Sequence, residues 1–109
     1  IPLDADVVMD VRFMPNPHYE PALRPKCGLH PAVRRFVLAQ PGSRDFLARF
    51  TALIKSLLPH YIREGKSYLT IAVGCTGGRH RSVCVARHQA RELEKGGYGV
   101  REFHRDIQR

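Results

Sequence analysis

The feature that most limits this chain is a junction. The apolar run Tyr68-Leu69-Thr70-Ile71-Ala72-Val73 passes directly into Gly74-Cys75-Thr76-Gly77-Gly78-Arg79-His80-Arg81-Ser82, and then into a helix-patterned stretch closed by Lys95-Gly96-Gly97. The run is apolar on both faces toward its end, as a covered strand of a parallel sheet is. A strand leaving through a Gly-rich turn into a helix is the building unit of layered α/β folds.

The flanking segments repeat that alternation. Val7-Val8-Met9-Asp10-Val11-Arg12-Phe13 reads as a first strand, and Gly99 to His104 as a third. Between the first two strands lie two helices. Pro31 suits a first helical turn, with Val33, Phe36 and Val37 following at helical spacing. A longer helix is expected from Ser43, a good N-cap, with Asp45 in its first turn and a stripe running from Phe46 and Leu47 to Tyr61 and Ile62. Pro59 should kink or divide it, and Gly65 should end it. The helix after the Gly-rich turn is expected from about Ser82 to Lys95. The fold class predicted is α/β, a small layered parallel sheet flanked by helices.

Length and charge narrow the function. With 109 residues the chain is one domain, residues 1–109, able to bury a modest core. No apolar run approaches the roughly 20 residues of a membrane span, so no membrane partner is expected. No signal peptide is visible, and Ile1 is not an initiator, which predicts a piece of a longer protein. The Cys count of 3 cannot pair completely, which favours a reducing, cytoplasmic setting. The net charge of +8 points to anionic partners.

In parallel α/β sheets ligands bind beyond the carboxyl ends of the strands. Three segments should meet there: Asp10 to His18, Gly74 to Ser82, and His104 to Asp106. Residues 14–30 hold Pro15, Pro17, Pro21 and Pro25, which predicts a long but semi-rigid excursion.

The Gly-rich turn carries the chemistry. Gly77 and Gly78 let backbone N–H groups close on a bound anion, and the helix N-terminus adds partial positive charge. Thr76 and Ser82 offer hydroxyls, Arg79 and Arg81 guanidinium forks, and His80 a further donor. Walker A fails because His80 and Arg81 stand where Gly and Lys are required. Cys75, five residues, Arg81 and Ser82 do match the C-x5-R-[ST] signature of cysteine-dependent phosphatases. There Cys75 would be nucleophile, Arg81 the clamp and Asp10 or Asp106 the general acid. Asp10 and Arg12, at i and i+2, form either a pocket pair or a structural ion pair; Asn16 and His18 are ligands or turn formers. Arg87, Arg91 and Lys95 line one face of the last helix. With Arg101, Arg105 and Arg109 they form either a track for RNA phosphates or a solvated stripe interrupted by Glu92 and Glu94. Cys84 and His88 at i, i+4 lack further metal ligands at suitable spacing, so no metal site is expected.

Three blocks together, Asp10 through Tyr19 (DVRFMPNPHY), Gly65 through Val83 (GKSYLTIAVGCTGGRHRSV) and His104-Arg105-Asp106, resemble the C-terminal domain of the RapZ/YvcJ family of RNase adapter and nucleotide-binding proteins. The resemblance spans nearly the whole chain. It implies a phosphofructokinase-like α/β subdomain without catalysis of its own, joined in full-length members to an N-terminal P-loop domain that binds ATP or GTP. It implies UDP-N-acetylglucosamine or glucosamine-6-phosphate as ligand. The phosphate would be held by Cys75, Thr76, Gly77, Gly78, Arg79, His80, Arg81 and Ser82, and the sugar side would be lined by Asp10, Arg12, Asn16 and His18. It further implies small regulatory RNA, an endoribonuclease or regulatory protein as partners, and a homo-oligomer. The pattern departs at Gly28-Leu29-His30, where members commonly carry Asp after Gly-Leu.

Overall fold

Val7 to Asp10 alternate between half-buried and exposed, which sets one face of the first strand against the core. The computed structural model describes residues 5–75 and 80–102, and in it strand β1 (Val7–Asp10) pairs in parallel with β2 (Ile71–Gly74). The register runs from Val7 opposite Ile71 to Asp10 opposite Gly74, so both strands end side by side. Three helices accompany them: α1 (Pro31–Leu38), α2 (Pro41–Arg63) and α3 (Arg81–Lys95). The α/β class expected from the sequence is the one observed. Among the described residues no helix is long and apolar enough to cross a membrane.

The expected bounds need correction at several points. β1 stops at Asp10 rather than Phe13, because the Val11 amide donates to Gly74 O and the chain then turns, Met14 N–H donating back to Val11 O. β2 begins at Ile71, not Tyr68, whose side chain stands in solvent. The described part of the expected third strand, Gly99 to Glu102, joins no ladder. Glu102 instead pairs with Arg87 of α3, and Phe103 and His104 lie outside the described residues.

α1 starts at Pro31, as its fixed φ favours, and buries Val33 and Val37 one turn apart. Its N-cap is His30, whose Nδ1 accepts the Ala32 amide at 3.1 Å. α2 begins at Pro41 and not at Ser43. Gln40 is the N-cap and Ser43 sits inside the first turn, buried, while Asp45 pairs with Arg49 one turn on. Pro59 neither divides nor ends α2, which runs on to Arg63. Pro59 is exposed, so the carbonyl four residues earlier that it leaves without a helical donor can turn to water. The end follows the expected pattern: Gly65 takes φ +89°, and the Lys66 and Gly65 amides donate to Tyr61 O and Ile62 O. Gly97, at φ +93°, closes α3 in the same way, with Tyr98 N–H donating to Leu93 O.

Val11, Met14, Val33, Val37, Leu47, Phe50, Ile54, Cys84, Val85 and Leu93 form the core, drawn from the three helices and the turn after β1, and both strands pack against it. Phe13 leaves the β1 exit and meets Phe46 edge-on at 5.0 Å, and Phe46 stacks on Phe50 at 5.3 Å. Residues 14–30 are a succession of turns. The 3-10 turn Pro17–Tyr19 comes first, then amides of Leu23 and Arg24 donate to Glu20 O, Lys26 to Leu23 O and His30 to Cys27 O.

Candidate functional site

Both strands deliver their carboxyl ends to one edge, where α3 also begins. Two of the three segments expected to meet there do so. Arg81, only 4% exposed, reaches from α3 to the carbonyls of Arg12 (through Nη1) and Met14 (Nη1, 3.2 Å). His104 to Asp106 lie outside the described residues, as do Thr76, Gly77, Gly78 and Arg79 of the Gly-rich turn.

Cys75, His80, Arg81 and Ser82 frame that turn. The Ser82 amide donates to Cys75 Sγ at 3.2 Å, and the Cys75 thiol to Ser82 Oγ at 3.3 Å. One amide of the α3 first turn is therefore already engaged, by sulfur. His80 is buried and its Nε2 lies 3.2 Å from Arg24 O in the proline-rich segment. Arg81 makes no ion pair with any carboxylate among the described residues, and its Nε is buried without a hydrogen-bond partner. A buried guanidinium without a carboxylate is costly to keep. It leaves positive potential at the carboxyl ends of the strands.

Asp10 and Arg12 satisfy each other at the surface. The Arg12 Nη2 lies 2.7 Å from Asp10 Oδ2, and the Arg12 amide and Nε also donate to the carboxylate. These bonds hold the Asp10 carboxyl below its ordinary value, with a smaller contribution from the field of Arg81, and raise the Arg12 guanidinium. Asp10 is thus a carboxylate at neutral pH, exposed beside the strand end. Asn16 Oδ1 accepts the His18 amide at 3.0 Å, the turn-forming arrangement, while the His18 ring is exposed beside Tyr19. On α3, Arg87 Nε donates to both carboxylate oxygens of Glu102 at 2.8 Å and Lys95 approaches Glu92 at 3.5 Å, so Arg91 is the α3 stripe member with no acidic partner among the described residues. Cys84 is fully buried, and burial pushes its thiol up to about 11 against a smaller opposing pull from Arg34, so it stays protonated and unreactive at neutral pH.

One residue that shapes the site escapes a reading of the sequence. Gly28 is buried against the start of α3. A Cβ placed there would lie 2.3 Å from His80 O, 2.7 Å from the Cys84 nitrogen and 2.8 Å from Val83 Cβ. The close approach of residues 14–30 to α3 therefore requires glycine. In the sequence it stands in a proline-rich segment and reads as an ordinary turn former.

Two parallel strands ending side by side where α3 begins, with a buried arginine at that edge, define a small layered α/β domain. The family model for the RapZ C-terminal domain matches residues 1–108, and the chain belongs to that family. Over all 109 residues it is 61% identical to a nucleotide-binding protein of Trichlorobacter lovleyi, 55% to one of Geobacter metallireducens and 57% to one of Frankia casuarinae. In each case the chain spans 38% of the relative's length.

Proposed function

We propose that this domain is a regulatory sensor that captures a phosphorylated amino sugar, UDP-N-acetylglucosamine or glucosamine-6-phosphate, at the turn between β2 and α3. The observation that carries this reading is Arg81: a guanidinium at the carboxyl end of the sheet, 4% exposed, without a carboxylate partner among the described residues. A phosphate bound by Cys75, Thr76, Gly77, Gly78, Arg79, His80 and Ser82 would supply the missing negative charge, with Arg81 acting from behind through the field it projects. Asp10 suits the other end of the ligand. Its exposed carboxylate can accept from sugar hydroxyls or an amino group, and Arg12, Asn16 and His18 extend that side. Occupancy would be passed to a nucleotide-binding domain that holds ATP or GTP elsewhere in the full-length protein. Regulatory RNA is a further partner class for the face of Arg87, Arg91 and Lys95; two of these carry acidic partners, so the sugar-phosphate reading does not depend on it.

The contact of Cys75 with the Ser82 amide favours one competing reading, a phosphatase with Cys75 as nucleophile. Against it, Nη1 of Arg81, the residue that would clamp the phosphate, is engaged by the Arg12 and Met14 carbonyls. Calorimetric titration with the two sugars, beside an assay with p-nitrophenyl phosphate, separates the two. The sensor reading expects saturable heat with one sugar, about tenfold weaker binding in Ser82→Ala, and no turnover. Heat with neither sugar, or turnover abolished by Cys75→Ser, overturns it.

A further inference from the structure

Away from the strand ends, α1, α2 and α3 enclose an open groove of about 950 Å³. Leu38 of α1 and Leu47 of α2 contribute apolar wall, and Arg34, Arg35 and Arg44 stand around it with His88 of α3. None of the three arginines forms an ion pair with a carboxylate among the described residues. Arg44 Nε donates to Leu38 O, which fixes it at the α1–α2 junction, and Arg34 Nε is buried without a hydrogen-bond partner. The acid lining the groove, Glu92, is approached by Lys95 at 3.5 Å.

Elsewhere several cations do pair, Arg12 with Asp10, Arg49 with Asp45, Lys66 with Asp6 and Arg87 with Glu102. At the groove three arginines line apolar wall together, none in an ion pair among the described residues, in a space sized for a small organic molecule. We infer that the groove between α1, α2 and α3 is a second ligand site, for a small amphipathic anion that sets an oxyanion against Arg34, Arg35 and Arg44 and an apolar body against Leu38 and Leu47. His88 is half-buried and its basicity is lowered, first by burial, so near neutral pH it adds a hydrogen-bonding ring rather than a further charge. The proposal is independent of the strand-end site. The oxyanion can be a carboxylate or a phosphoryl group, since guanidinium forks recognise both.

The test is a nitrogen-labelled NMR titration of the chain with 2-naphthoate, phenylphosphonate and 2-naphthol. Saturable shifts on α1 and α3 amides around Arg34, Arg35 and His88 are expected with the two anions, about tenfold weaker with the neutral naphthol. Whichever anion binds more tightly identifies the preferred oxyanion. Arg35→Gln, an exposed change that leaves the core untouched, should weaken binding severalfold, and Arg34→Gln more. Equal affinity for 2-naphthol would reduce the groove to apolar adhesion. Shifts confined to Cys75 and Ser82, or full affinity in both variants, would equally overturn the proposal. Ser82→Ala leaves this binding unchanged if the sites are separate, so failure of either site is read on its own.

Discussion

Gly28 and Gly42 look alike in the sequence and differ entirely in what surrounds them. A Cβ on Gly28 would collide with the His80 carbonyl and the Cys84 amide, backbone atoms held in the first turn of α3, whereas one on Gly42 meets nothing within 4 Å. Gly28→Ala should lower stability by about 2 kcal/mol or more. Gly42→Ala, in the first turn of α2, should raise it by about 0.5 kcal/mol. Urea unfolding of the two variants beside the parent checks both signs. His30 gives a second residue-scale prediction. The Nδ1 of His30 accepts the Ala32 amide, as a carboxylate at an N-cap would. His30→Ala should then cost about 1 kcal/mol, while His30→Asp should keep or improve stability, since a carboxylate also favours the helix N-terminus. Matching losses in both variants, read as thermal midpoints, would sink the capping role.

Helices were more legible than strands, and the reason is local. Pro31 and Gly65 act through their own backbone geometry, so the start of α1 and the end of α2 could be read from one residue each. Ser43 misled because its capping preference competed with Pro41, two residues earlier, which sits at the first helical position and draws the helix start forward. Pro59 misled in the other direction. Its cost is one lost bond on an exposed face, and the buried stripe Leu47, Phe50 and Ile54 holds α2 to the core regardless. Replacing it restores the N–H without disturbing that face. Pro59→Ala should therefore stabilise the protein by at least about 1 kcal/mol, visible as a higher urea midpoint. Strand limits depend on a partner that a sequence does not display. β1 ends where the pairing with Gly74 ends, and nothing in Val11-Arg12-Phe13 says so. At the candidate site the Gly-rich turn and its basic residues were readable as a motif. That Arg81 lies buried, bonded to Arg12 O and Met14 O, was not, because burial of an arginine depends on where distant carbonyls fall.

At the scale of the molecule, the amino ends of the two strands are joined by Asp6. Its carboxylate accepts the Thr70 amide at 2.9 Å and pairs with Lys66 at 2.9 Å, bonds that hold its pKa below the ordinary 3.8 and raise that of Lys66. A carboxyl with a depressed folded value contributes stability that is complete above its unfolded value and is lost as the pH falls through the folded one. Unfolding midpoints compared at about pH 6 and about pH 3 should thus show a larger acid loss in the parent than in Asp6→Asn, with the difference confined to the acid side of 3.8. The opposite ends of those strands are secured differently, by His80, Arg81 and the tight seat of Gly28. Residues 14–30 wear the outward marks of a linker, rich in proline and poor in regular structure, yet they are riveted to a helix more than fifty positions downstream. A tag, hinge or extra residues spliced into that stretch would be resisted by the domain's interior, and protein engineers would do better to graft onto the outer turn after Gly96.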